Sequence, residues 1–215
     1  MTAATLTPTK KKARPTRPRQ WLVPTGLILL SLIPVLAGSA RLGELAGAEV
    51  TPDNVRFFTS PVPVVSHIIA ATIYTLLGAF QFVPRLRRGR WHRAAGVILI
   101  PLGLISAVSG LWMTVFSELP PSDNEALVVV RLIFGIGMVA SILLGVCWLV
   151  FRDYRRHGAW MTRAYAIGAG AGTQALIMIV PQLATGGLDA PTKTVLMALA
   201  WVINLGVAEY AIRRA

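Results

Sequence analysis

Six apolar runs, each long enough to cross a bilayer as a helix, divide this 215-residue chain and leave few other ways for it to fold. About 18 consecutive apolar residues suffice for one crossing, and in lipid only a helix or a closed barrel satisfies its own backbone hydrogen bonds. The runs extend from Trp21 to Ala40, Val62 to Val83, Ala94 to Phe116, Ala126 to Phe151, Ala164 to Val180 and Val195 to Ile212. They predict an all-α, polytopic membrane bundle of six transmembrane helices. With 54% hydrophobic and 14% charged residues, the chain is too apolar for an ordinary soluble domain. A net charge of +12 would suggest nucleic acid if it lay on a soluble surface, but the basic residues fall between apolar runs, so no nucleic-acid partner is expected. The single cysteine, Cys147, lies inside a run and excludes an intrachain disulfide or a Cys-based zinc site.

Two segments follow: a basic, disordered tail over residues 1–20 and a membrane domain over residues 21–215. The tail carries Lys10, Lys11, Lys12, Arg14, Arg17 and Arg19, interrupted by Pro15 and Pro18. Next to a span, such a cluster reads as a contact with anionic lipid headgroups. Gly38, Ser39 and Ala40 resemble a signal-cleavage site, but the preceding apolar stretch is too long for a typical signal, so the first span is read as a retained helix. Pro24 and Pro34 are accommodated as kinks or end effects.

Orientation comes from the loops, because short cytoplasmic loops keep an excess of Lys and Arg. The tail, the links Arg85–Arg93 and Arg152–Arg163 and the C-terminus hold 17 of the 21 basic residues. The remaining connections hold Arg41, Arg56 and Lys193, and Arg131 lies inside the fourth span. Both termini are therefore expected in the cytoplasm. The other face is acidic, with Glu44, Glu49, Asp53, Glu118, Asp123, Glu125 and Asp189. Arg163, at the edge of the short fifth run, is expected to lengthen it by snorkelling to the interface.

Polar residues inside spans are costly and mark where function is to be sought. On the second span His67, Ala71, Tyr74, Gly78 and Gln81 share one helical face. The third carries His92, Gly96, Gly103, Ser106 and Gly110, and the fifth His157, Met161, Ala164, Gly168 and Ala171, with Gly168 and Gly172 in a G-x-x-x-G spacing. Small residues below a histidine mean close helix packing or room for a flat cofactor. The residues sort into an inner layer of His92, His157, Gln81, Arg163 and Glu209, and an outer layer of His67, Arg131, Ser109 and Gln182. Two His at matching depth on neighbouring helices suit axial ligation of haem iron, and His92 and His157 meet that depth requirement. They equally suit interfacial residues that touch headgroups or cap helix ends. No phosphate loop, nucleophile elbow, zinc helix or intramembrane carboxylate pair is present, so no metal beyond haem iron is expected.

The stretches HIIAATIYTLLGAFQF from His67, RLRRGRWHRAAG from Arg85, SGLWMT from Ser109, RLIFGIGM from Arg131, HGAWMTRAYAIGAGAGTQ from His157 and WVINLGVAEYAIRR from Trp201 resemble a family of bacterial predicted membrane proteins of unknown function. That resemblance implies the bacterial cytoplasmic membrane and no activity. More distantly, the architecture is similar to the six-helix, ascorbate-reducible two-haem cytochromes b, which hold haem between the second and fourth and between the third and fifth helices. His67, His92 and His157 then match three ligand positions, whereas Arg131 stands near the fourth, and Arg, always protonated, cannot bind iron.

The leading expectation is thus a b-type haem electron carrier, or a haem-less relative, with His92 and His157 as axial ligands and Arg163 near the propionates. A structural or partner-binding subunit is one alternative, its polar stripes serving to lock helices together. Another is a small-solute or lipid-handling protein, with His67 and Arg131 lining an outward polar cavity and Tyr74, Gln81 and Ser109 completing the polar membrane residues. Whether the protein is an enzyme, and how many copies assemble, does not follow from these residues.

Overall fold

The computed structural model describes residues 20–51, 54–87, 89–120 and 122–214, so the lysines and arginines of the tail lie outside the described residues. Helix α1 (Leu22–Gly47) is followed by a short α2 (Val55–Thr59) and by α3 (Pro61–Ala79), which closes with a 3-10 turn at Phe80–Phe82. Then come α4 (Arg90–Phe116), α5 (Glu125–Val150), α6 (Tyr154–Gly168), α7 (Gly170–Thr185) and α8 (Ala190–Arg214). Taking α6 and α7 together, six helical segments are long and apolar enough to cross a membrane.

Local chemistry sets the ends. Pro61 opens α3, where its missing N–H costs nothing. The side chains of Asn124 and Asp153 cap α5 and α6, each accepting a backbone N–H at 2.9 Å. Gly186 takes the left-handed conformation, φ 72°, that terminates α7. Arg152, at φ 59°, supplies the same hand in the tight turn between α5 and α6, an uncommon position for a residue with a Cβ.

The fifth crossing is longer than hydropathy predicts, running over 32 residues from Tyr154 to Thr185 rather than from Ala164 to Val180. Arg155, Arg156, His157 and Arg163 lower the local hydropathy, yet they fall on one amphipathic helix whose other face is apolar. The crossing breaks at Ala169, between Gly168 and Gly170, where α6 packs against α5 and α8 and α7 turns toward α8 and α1.

Helices α3, α4, α5 and α6 form an antiparallel ring; α1 lies outside against α3 and α7, and α8 against α6 and α7. The centre is filled by Tyr74, Leu99, Met138, Ile142, Ala164 and Tyr165. Tyr74 and Tyr165 pack with ring centroids 5.8 Å apart, and the Tyr165 hydroxyl donates to the Thr75 carbonyl at 2.7 Å. Leu36, Val97, Ile133 and Leu183 point outward and are more than half exposed, which in water would be a liability and in a bilayer is the lipid-facing surface. Alternation of the helices gathers Arg90, Arg155 and Arg213 at one end, the basic end, and Arg41, Arg56, Arg131 and Lys193 at the other.

Candidate functional site

The end opposite the basic one is organised around Asp123, in the loop before α5. Its side chain is 1% exposed. One carboxylate oxygen accepts from Lys193 Nζ at 2.5 Å and the other from Arg131 at 2.8 Å. Lys193 also donates to Ser122 Oγ at 3.0 Å, and Thr194 donates to Asn124 Oδ1 at 2.8 Å, so the start of α8 is tied to the start of α5 by several bonds. Burial pushes the Asp123 pKa up, but the hydrogen bond from Lys193 and the charge of Arg131 outweigh it and hold the carboxyl below its ordinary value.

Arg56 on α2 completes the cluster without touching the carboxylate. Burial lowers its pKa from the ordinary value, Asp123 opposes that shift, and Arg41 and Arg131 add to it. The guanidinium stays charged. It lies 4.5 Å from the centre of the Phe57 ring, whose other close cation is Arg41 at 3.9 Å. Arg41 is ion-paired with Glu44. Arg56 Nε, by contrast, is buried without a hydrogen-bond partner, and its guanidinium makes no ion pair among the described residues. Arg56 lines a cavity of about 290 Å³ between α2 and the end of α4, with Val55, Thr59, Phe116 and Glu118 among its walls.

The residues singled out on the spans have other duties. His67 bonds through Nδ1 to the Ser106 carbonyl at 2.8 Å and approaches Ser109 Oγ at 3.2 Å, which bridges α3 to α4. Arg131 pairs with Asp123, and no hydrogen bond among the described residues joins it to His67. Tyr74 fills the bundle centre. Gln81 Nε2 donates weakly to the His92 carbonyl at 3.5 Å, while Gln81 Oε1 and His92 Nδ1 are buried without partners.

At the basic end His92 lies in the first turn of α4 and His157 near the start of α6. His157 Nδ1 bonds to the Gly145 carbonyl at 2.8 Å, an arrangement that leaves Nε2 as the basic nitrogen, as in metal-bound histidines. A Cβ at Gly103 would stand 2.7 Å from Tyr74 Cε2, and one at Gly168 would stand 3.0 Å from Tyr74 Cε1, so these small residues hold a tyrosine ring about three helical turns from the histidines, whereas a Cβ at Gly96, one turn from His92, would meet nothing within 4 Å. Arg163, expected at the propionates or snorkelling to the interface, is bound to Glu209 of α8 at 2.5 and 3.1 Å and stacks on Trp160.

Arg56, Asp123, Glu118 and Lys193 were legible in the sequence only as loop charges. The signal they carried was location: basic residues at the sparsely basic end are few, and two of them, Arg131 and Lys193, bind one buried carboxylate whose charge also acts on Arg56. Residues 64–212 match the model of a family described as predicted membrane protein (DUF2306). No curated protein and no solved structure matches the chain.

Proposed function

Because the chain belongs to the predicted membrane protein family DUF2306, whose description carries no activity, we propose a role from its own geometry: a membrane-embedded binding protein for a small anionic group, presented at the bundle end that faces away from the cytoplasm. The observation that carries this reading is Arg56, a charged side chain on a cavity wall whose buried Nε–H has no hydrogen-bond partner and whose guanidinium has no ion pair among the described residues. An unpaired buried polar group costs about 1–3 kcal/mol, more when charged, and a phosphate or carboxylate in the cavity recovers it. Arg131 and Lys193 are already neutralised in part by Asp123, which leaves Arg56 as the cation available to a ligand.

Haem does not enter this reading, which rests on the opposite end of the bundle from His92 and His157. The polar stripe of α3 supports the fold, as His67 and Tyr74 are spent on neighbouring helices. The test is thermal unfolding of the detergent-purified protein with inorganic phosphate or with chloride at matched ionic strength. Phosphate is expected to raise the melting temperature of the wild type and not of Arg56→Gln. Equal shifts in both proteins would remove Arg56 from the site.

A further inference from the structure

We infer that the ligand is dipolar: a phosphate or carboxylate that meets Arg56 and carries an ammonium that meets Glu118. The inference rests on the reading of Arg56 given above and adds the second charge of the same cavity. Glu118 lines that cavity, and among the described residues its carboxylate has neither a hydrogen bond nor an ion pair. No ion pair joins it to Arg56 across the space they share. The neighbouring charges are matched, Arg41 by Glu44 and both Arg131 and Lys193 by Asp123. Among the described residues, one cation and one anion therefore line this cavity unmatched and held apart.

A simple anion in this space is attracted by Arg56 and repelled by Glu118, and a simple cation meets the reverse. Only a molecule with both charges satisfies the two walls at once. At about 290 Å³ the cavity is at the small end of ligand sites, which run from about 300 to 1,000 Å³. That admits a headgroup or a small zwitterion and leaves any acyl chains outside. Phe116, on the cavity wall, is 68% exposed and offers an apolar surface over which such chains can lie.

The experiment measures affinity of the detergent-purified full chain for dihexanoyl-phosphatidylethanolamine, dihexanoyl-phosphatidylglycerol and free phosphoethanolamine, in wild type, Arg56→Gln and Glu118→Gln. The wild type is expected to prefer the phosphatidylethanolamine over the phosphatidylglycerol by about fivefold, the scale of one exposed ion pair. Arg56→Gln is expected to weaken both lipids about tenfold or more. Glu118→Gln is expected to erase the preference by weakening the first lipid and improving the second. Glu118 is exposed and Arg56 is half-buried, and unchanged melting of the variants checks that the fold is intact. Phosphoethanolamine binding as tightly as the lipid assigns the site to a soluble zwitterion; binding of the lipid alone assigns it to a headgroup, and either supports the dipolar site. A preference that survives in Glu118→Gln overturns the dipolar inference and leaves Arg56 in place. Undiminished binding by Arg56→Gln, or no binding by the wild type, overturns both.

Discussion

Asp123 shows how a buried carboxylate can be tolerated near a membrane surface: both oxygens are occupied, by Lys193 and Arg131, from two different helices. Because its folded pKa lies below the ordinary value, it adds stability that is complete above the unfolded value of about 3.9 and is lost as pH falls through the folded pKa. Melting measured between pH 7 and pH 3 should therefore fall in the acid range, and Asp123→Asn should flatten that part of the curve. The same substitution should cost about 2 kcal/mol at neutral pH. That is below the roughly 3–5 kcal/mol of a fully buried pair, since Arg131 and Lys193 keep 28% and 23% exposure. The partners of Asp123 were not readable in the sequence, because Lys193 stands 70 positions away. His67 and Ser109 were placed in one layer by depth and are in contact, whereas Arg131, assigned to the same layer, turns to the loop before its own helix.

Among the elements, α1 and α7 meet most closely at Gly172, where an added Cβ would stand 2.3 Å from the Leu30 carbonyl oxygen. Backbone cannot yield there as a side chain tip can, so Gly172→Ala should destabilise the bundle by about 1–3 kcal/mol despite the better helix propensity of alanine. Gly26→Ala, with nothing within 4 Å of the new Cβ, should be neutral or slightly stabilising. Denaturation in one detergent compares the two, and equal effects would contradict the packing described. Helix positions were legible because an apolar run long enough to span a bilayer has few alternatives. The α6 boundary was not, because hydropathy averages its charged face with its apolar one, and Arg163 finds Glu209 only in three dimensions. The G-x-x-x-G spacing was readable as close approach, but whether a ring or a cofactor filled the stripe depended on Tyr74, a residue of another helix.

For the whole molecule, a tyrosine-centred ring of four helices with α1 and α8 around it gives a closed interior and a charged cavity at one end. A binding role at the other end needs no haem and predicts a colourless protein: the reduced-minus-oxidised visible spectrum of material made with a haem precursor should lack a stoichiometric b-type signal. A full signal, lost in both His92→Ala and His157→Ala, would assign a haem to that pair. Hydropathy and charge bias fixed the number of crossings in advance, whereas the pairing of charges between loops, on which the site depends, leaves no periodic trace in a sequence. The central claim is that Arg56 serves a ligand and Arg131 serves the fold. Calorimetric titration of dihexanoyl-phosphatidylethanolamine into wild type, Arg56→Gln and Arg131→Gln separates them. The account predicts that Arg56→Gln melts normally but binds about tenfold or more weakly, while Arg131→Gln melts early and keeps its affinity within about threefold; binding lost with Arg131 and kept without Arg56 would contradict it.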